Sequence, residues 1–349
     1  MTPGGGLRER LRDAWLRRGP LARALRPVSW IYRALWNLRL AAYRHGWRHT
    51  ERVGVPLIVV GNAVAGGAGK TPTVIAVVEH LQRRGLRVGV VSRGYGRTPS
   101  AGEDDDIRPV MPQDMPQTVG DEPLLIRRRT GAPVFVGRRR AATARRLLAA
   151  HPEVQLIVCD DGLQHLALGR DVEICVFDDR GVGNGWLLPA GPLREPWPRR
   201  VDLVLHTGSR PAFDGYRGER RLADHALQAD GTAVPLAALA GVALHAVAGI
   251  AQPEAFFSML RARGLDVART TALPDHYDFD SWRPAPDAGQ RLICTEKDAL
   301  KLWRAAPAAL AVPLVFVPEP AFLAALDARV GAHLARLSSP AHDAAQGKP

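Results

Sequence analysis

Cysteine is scarce in this 349-residue chain, with three residues at positions 159, 175 and 294. Each sits inside an apolar, strand-like run, and three are too few for a framework. A disulfide scaffold is thereby excluded and a reducing compartment is expected. Uninterrupted apolar runs of the roughly 18–20 residues that a spanning helix needs are also missing. The stretch 231–253 carries no Asp, Glu, Lys or Arg, yet Pro235, Gly241, His245, Gly249 and Pro253 break it, so it reads as a buried strand with turns. No cleavable secretory signal and no internal repeat are visible. Acidic side chains are in deficit, 35 against 47 Lys and Arg, a formal charge of +12. A basic total of this size normally points to a polyanion, so its distribution matters.

The excess is concentrated at the front. Residues 1–52 hold twelve arginines against Glu9, Asp13 and Glu51, which places nine of the twelve surplus charges there. Trp15, Trp30, Trp36 and Trp47, half of the eight tryptophans, lie in the same segment among many leucines. Arginines cut its apolar runs too short for a span. The pattern predicts amphipathic helices broken near Pro20 and Pro27, with Arg facing lipid headgroups and Trp and Leu entering the acyl boundary. The alternative is a helix packing its Leu/Trp stripe on the body of the protein. Four tryptophans and a nearly neutral remainder favour a lipid interface, so a membrane surface is the expected partner and nucleic acid is not.

The length predicts two domains, each able to bury a core. Apolar runs at 57–61, 87–92, 133–136, 156–160, 172–177 and 202–206 alternate with helical stretches such as 72–84 and 140–150, the rhythm of a parallel sheet covered by helices. Residues 99–120, rich in Pro, Gly, Asp and Gln, read as an excursion over the sheet edge. Further strands at 243–250, 291–295 and 314–317, with a helix near 253–263, predict a second, smaller α/β domain. The expected organisation is a basic amphipathic helical segment over 1–52, an α/β core over 53–234, the smaller α/β domain over 235–337 and a tail over 338–349.

The strand at 57–60 runs into Gly61-Asn62-Ala63-Val64-Ala65-Gly66-Gly67-Ala68-Gly69-Lys70-Thr71, with a helix predicted behind it. Glycines let successive backbone amides turn toward phosphate oxygens, Lys70 reaches the β- and γ-phosphates, and the Thr71 hydroxyl suits Mg²⁺. This is a P-loop over residues 64–71: Val64, Ala65, Gly66, Gly67, Ala68, Gly69, Lys70 and Thr71. Val64 stands where the strict pattern has its first glycine. A P-loop needs a carboxylate on a neighbouring strand to organise its metal. Asp160 or Asp161, ending the run 156–160, supplies one, so ATP and Mg²⁺ are the expected cofactors.

These motifs form an ordered set. Val60-Gly61-Asn62 through Thr71-Pro72, Ser92-Arg93-Gly94-Tyr95-Gly96-Arg97, Gly120-Asp121-Glu122-Pro123, Asp160-Asp161-Gly162-Leu163-Gln164-His165 and Leu188-Pro189-Ala190-Gly191-Pro192-Leu193-Arg194-Glu195-Pro196 resemble the tetraacyldisaccharide 4'-kinase family, the lipid A 4'-kinases of Gram-negative bacteria. The likeness continues through His245–Ile250, Pro274-Asp275-His276-Tyr277 and Thr295-Glu296-Lys297-Asp298, spanning about 28–320. It implies a P-loop kinase-like parallel sheet with helices on both faces, a second smaller α/β domain and an N-terminal membrane-associating segment. It also implies transfer of the ATP γ-phosphoryl to the 4'-hydroxyl of an acylated glucosamine disaccharide 1-phosphate, forming lipid IVA at the cytoplasmic face of the inner membrane. The Val64 departure is shared by that family.

The resemblance also implies roles. Asp121 matches the base that accepts the acceptor's proton, and His276 the histidine that orients it from the second domain. Arg140, with Arg138 and Arg139 as ambiguous neighbours, and Arg194 are the candidates for phosphate or transition-state charge. Glu195 is expected to support the metal shell. Asn184 is either a disaccharide contact or a tight-turn residue, and Tyr95 either stacks on a sugar or nucleotide or closes a strand end. The acidic run 103–106 has no assigned role. Two alternatives are a membrane-cycling P-loop ATPase or GTPase of the targeting-factor type and a nucleotide-dependent adaptor. The lysine usual before the double glycine of targeting factors is Ala65 here.

Overall fold

The computed structural model describes residues 7–98, 106–275, 277–280, 282 and 289–337. The expected tail over 338–349, His276 and most of the acidic run 103–106 lie outside the described residues. The front segment is helical: α1 (Leu7–Leu16), α2 (Pro20–Ala24) and α3 (Arg26–Arg44). Pro20 and Pro27 start helices rather than breaking them, because a first-turn residue has no amide partner to lose.

The chain then builds β1 (Leu57–Gly61), α4 (Lys70–Arg83), β2 (Val88–Ser92), β3 (Arg108–Val110), α5 (Pro116–Val119) and α6 (Asp121–Thr130). It continues with β4 (Val134–Val136), α7 (Arg140–Ala150), β5 (Leu156–Asp160), β6 (Val172–Phe177), β7 (Leu203–His206) and β8 (Tyr216–Leu222). A second group follows: β9 (His225–Leu227), β10 (Ala233–Pro235), β11 (Leu244–Ala248), α8 (Pro253–Ala262), β12 (Val267–Ala272), β13 (Arg291–Thr295), α9 (Glu296–Ala305) and β14 (Leu310–Val312). The chain closes with β15 (Leu314–Pro318) and α10 (Pro320–Leu337).

The first sheet runs β15-β8-β7-β6-β1-β5-β2-β4-β3 and is parallel from β8 to β4. Antiparallel β15 and β3 close its two edges. Its strands β1, β5, β2 and β4 are buried along their whole length, as continuous apolar runs require when both faces are covered. Ile58 and Val60 pack with α4, α6 and α10, whereas Leu57 and Val59 pack on the opposite face with α7. The second sheet runs β10-β9-β14-β13-β11-β12. Helix α8 covers one face of it and α9 the other.

Sheet membership shifts the expected domain boundaries. β9 already belongs to the second sheet, and β15 and α10, expected within the smaller domain, return to the first. Phe316 and Phe322 bury themselves in the P-loop unit's core, and that burial decides where the last elements go. The chain crosses between sheets twice, around 223–224 and at Pro313, and the two crossings are joined where the Ala223 amide donates to the Pro313 carbonyl (2.9 Å). The expected excursion 99–120 also contributes β3, a three-residue edge strand whose Pro109 conceals it from a periodicity reading.

Helices α1 and α3 dock on the loop 184–194, α1 through Trp15 Nε1 donating to the Pro189 carbonyl (2.9 Å). Ser29 Oγ donates to the Leu187 carbonyl (2.7 Å) and accepts from the Ala190 amide (3.0 Å), and Tyr32 donates to the Arg194 carbonyl (2.6 Å). Trp36 faces inward, whereas Val28, Trp30, Ile31, Leu35 and Leu38 are exposed. Residues 28, 31, 35 and 38 share one helix face, so the apolar stripe points away from the body. Among the described residues, no helix is long and apolar enough to cross a membrane.

Candidate active site

The ladder places the chemistry. Val60 lies beside Asp160 and Val91 beside Cys159, so the carboxyl ends of β1, β2 and β5 finish together. Ligands of open α/β sheets bind at such an edge. The loop leaving β1 is tied on itself by buried Asn62. Its Nδ2 donates to the carbonyls of Val64 (2.5 Å) and Gly66 (3.2 Å), and its Oδ1 accepts from Lys70 Nζ (3.2 Å) and Arg194 Nη1 (3.3 Å). Gly69 caps α4 in the left-handed region, φ +81°, where a Cβ would also stand 3.0 Å from Thr207 Oγ1. That hydroxyl donates to the Ala68 carbonyl (2.9 Å), so the loop has a fixed outer wall. Val64 is buried and bridges to Leu193, which explains why a glycine is unnecessary there. Ala65 donates its amide to the Pro192 carbonyl (2.7 Å).

Gly66, Gly67, Gly69, Lys70 and Thr71 line a cleft of about 1290 Å³ together with Ser92, Arg93, Tyr95, Asp160, Asp161 and Arg194. Ile250, Ala251, Glu296 and Lys297 bring the second unit to the same cleft. The two adjacent acids have different environments. Asp161, at φ +50°, receives a two-pronged bond from Arg194 (2.7 and 3.1 Å) and lies 3.8 Å from Lys70 Nζ. Burial opposes its ionisation, but Lys70 and Arg194 together hold it below the ordinary carboxylate range. Asp160 is almost fully buried and accepts from Ser92 Oγ (3.0 Å) through Oδ2, while its buried Oδ1 has no hydrogen-bond partner among the described residues. Burial, then the charges of Glu122 and Asp161, push its pKa upward. Asp160 and Thr71 both line the cleft, and oxygen donors of this kind suit a hard, oxygen-seeking cation such as Mg²⁺. Among the described residues no cluster of three His, Cys, Asp or Glu side chains could hold a metal alone.

A smaller cavity of about 290 Å³ adjoins this one and shares Arg93, Asp161 and Arg194 with it. Its other walls are Arg39 from α3, Arg138, Arg140, Gln164 and His165. Arg140 is 2 % exposed, and its Nη1 donates to the Gly137 carbonyl (2.7 Å).

Asp121 opens α6 behind Gly120, whose φ of +96° strains any side chain and where a Cβ would stand 3.1 Å from the backbone of Gly94 and Tyr95. Asp121 is 6 % exposed and stands beside Glu122, which lines the cleft. Tyr95 is 69 % exposed on the cleft wall, so the strand-end alternative does not describe it. Three of the described residues expected in catalytic, metal or substrate roles, Asp121, Glu195 and Asn184, line neither cavity. Glu195 lines neither cavity, because its carboxylate is taken by Gln164 Nε2 (2.8 Å) and Arg199 Nε (3.0 Å). Asn184 is also absent from both walls. Its Nδ2 donates to the carbonyls of Ala14 (3.0 Å) and Ala190 (2.9 Å), and its Oδ1 accepts from the Trp186 amide (3.0 Å), so it is a turn residue that also docks α1. Sequence reasoning passed over Asn62, Thr207, Arg93 and Lys301. Asn62 and Arg93 lie inside motif runs without having been given a role, whereas Thr207 and Lys301 carry no local pattern.

The cationic cavity has a measurable consequence at His165. Burial, reinforced by Arg140, Arg93 and Arg39, lowers its pKa from about 6.5 to about 4. Between those values the unfolded chain binds a proton that the folded chain does not, so stability falls as pH drops through this window and levels off below it. The contribution is at most about 3 kcal/mol. His165→Gln is expected to reduce the loss of urea-unfolding stability between pH 7.5 and 4.5. An unchanged loss would mean that His165 is not held neutral.

Comparison with known proteins gives the same outline. A sequence model of the family described as tetraacyldisaccharide-1-P 4'-kinase matches residues 21–331. A tetraacyldisaccharide 4'-kinase of Acidovorax sp. (strain JS42) is 60% identical over 338 residues, covering 96% of this chain and 97% of the relative. One from Polaromonas naphthalenivorans (strain CJ2) is 58% identical, covering 95% and 98%. A crystal structure of LpxK from Aquifex aeolicus in complex with ATP superposes with a TM-score of 0.74 at 26% identity, covering 91% of this chain and 100% of the other. These matches favour a kinase over the targeting-factor and adaptor alternatives. With matches spanning nearly its whole length, the chain belongs to the tetraacyldisaccharide 4'-kinase family.

Proposed function

We propose that this protein transfers the γ-phosphoryl group of ATP to the 4'-hydroxyl of an acylated glucosamine disaccharide 1-phosphate. The observation that carries this reading is the meeting of a P-loop, two strand-end carboxylates and an arginine-lined extension in one cleft, in a chain of this family. Phosphoryl transfer needs positioning and charge stabilisation more than covalent chemistry. The loop amides and Lys70 hold the ATP phosphates. Thr71 and Asp160 would hold Mg²⁺, with Asp161, already neutralised by Arg194, in support. When bound, Mg²⁺ supplies charge neutralisation along the phosphate chain. Arg194 and Arg140 stabilise charge on the phosphoryl oxygens or on the acceptor's own phosphate. Asp121 accepts the hydroxyl proton, with His276 as its orienting partner. Tyr95 flanks the acceptor sugar or the nucleotide.

The test is transfer of label from γ-labelled ATP to tetraacyldisaccharide 1-phosphate. Asp121→Ala is expected to lower turnover by at least about a hundredfold while ATP binding persists. Lys70→Ala is expected to weaken both. ATP hydrolysis without any labelled lipid would contradict the reading.

The acceptor is a lipid, and the exposed stripe on α3 supports a peripheral position at the cytoplasmic face of the inner membrane. Arginines flank Trp30, Ile31, Leu35 and Leu38, so apolar insertion and headgroup contact act together. Replacing Ile31, Leu35 and Leu38 together by Ser is expected to weaken binding to anionic vesicles by at least about tenfold in a flotation assay, without lowering the melting temperature. Unchanged flotation would remove the stripe from the membrane contact.

A further inference from the structure

We infer that Lys301 is a positioning residue for Asp121, delivered to the reaction from the second unit. This rests on the reading of Asp121 as the base. Lys301 lies on α9 and Asp121 in the first turn of α6, 180 positions earlier, yet Lys301 Nζ donates to Asp121 Oδ2 at 2.9 Å. Both residues are buried, Asp121 at 6 % and Lys301 at 7 % exposure. Lys301 Nζ also reaches the Tyr277 carbonyl at 3.3 Å, which ties the ammonium to the segment that carries His276.

The surroundings explain why a lysine is needed there. A buried carboxylate is stable only if paired, and a charge-assisted hydrogen bond restricts its rotation as well as its protonation. Burial also gives the pair a direction: the ammonium comes from the α9 side, while Glu122, the next residue along α6, faces the cleft. A second ion pair, Arg129 Nη1 to Glu296 Oε2 at 2.9 Å, joins the far end of α6 to the start of α9. The two pairs clamp α6 to α9 at both ends. The clamp sets the position of the Asp121 carboxylate relative to the P-loop. Lys297, one turn before Lys301, lines the cleft and pairs with Asp275 (3.3 Å), and it also feels the charges of Glu122 and Asp121, whereas the direct hydrogen bond to Asp121 comes from Lys301.

The test is a double-mutant cycle in the label-transfer assay. Lys301→Met keeps the apolar stem and removes the charge. It is expected to lower kcat by at least about tenfold while KM for ATP changes by less than about twofold. In an Asp121→Asn background the same substitution is expected to cause no further loss, because the carboxylate it positions is gone. Lys301→Arg is expected to restore most of kcat. If the methionine variant does not fold, Lys301→Gln, which keeps a donor without the charge, makes the same comparison. Equal losses in both backgrounds would overturn the assignment in favour of general structural damage. Wild-type kcat in Lys301→Met, alongside an inactive Asp121→Asn, would overturn it and leave the base reading intact. Wild-type kcat in Asp121→Asn would overturn the base reading, and the positioning role with it.

Discussion

The site depends on one constraint: β1 lies between β5 and β6, in parallel and in register with both. Five consecutive buried residues on each of β1 and β5 leave no freedom to slip without exposing apolar side chains. That register makes the P-loop and the Asp160–Asp161 pair emerge side by side. Same-sign charges so close would repel, and they are held by opposite charges from elsewhere in the chain. Lys70 and Arg194 converge on Asp161 and share Asn62 Oδ1 as an acceptor. Asp160 accepts from the Ser92 hydroxyl and, among the described residues, has no ion pair, although the Lys70 charge also acts on it. The asymmetry leaves one carboxylate neutralised within the protein, which is why the other is proposed as the cation's ligand.

A second layer of organisation comes from the pairing between units. The chain enters the second sheet after β8 and leaves it before β15, and these strands pair with each other in the first sheet. The smaller unit is therefore attached by two adjacent crossings. Its helix α9 meets α6 through the pairs Lys301–Asp121 and Arg129–Glu296. The front helices attach differently, through hydrogen bonds to the loop that carries Arg194. The apolar stripe of α3 is thus fixed relative to the arginine cavity, to which α3 itself contributes Arg39.

Much of this was legible in the sequence. The apolar runs 57–61, 156–160 and 172–177 correspond to inner strands, since double-sided burial writes itself as an unbroken hydrophobic run. The P-loop was readable because its chemistry is local. What escaped was whatever depends on distance. β8, with the sequence YRGERRL, lacks an apolar run because the elements around it supply its partners. The strand at 314–318 was visible, but nothing local states which sheet it joins. Glu195 and Asn184 sit within strong motifs, yet their side chains hold the loop's shape and do not line the cleft. Lys301 follows the quoted Thr295–Asp298 turn by three positions, and its partner lies on a helix of the other unit.

The central claim is that the end of β5 and the P-loop form one nucleotide–metal site in which Asp160 provides the open carboxylate. Calorimetric titration of ATP into wild-type protein and Asp160→Asn, with and without Mg²⁺, tests it most directly. Mg²⁺ is expected to tighten ATP binding to the wild type. The variant is expected to bind metal-free ATP at least as well as the wild type, since a negative charge facing the phosphates is gone, and to lose the gain from Mg²⁺. An equal gain from Mg²⁺ in both proteins would contradict the account.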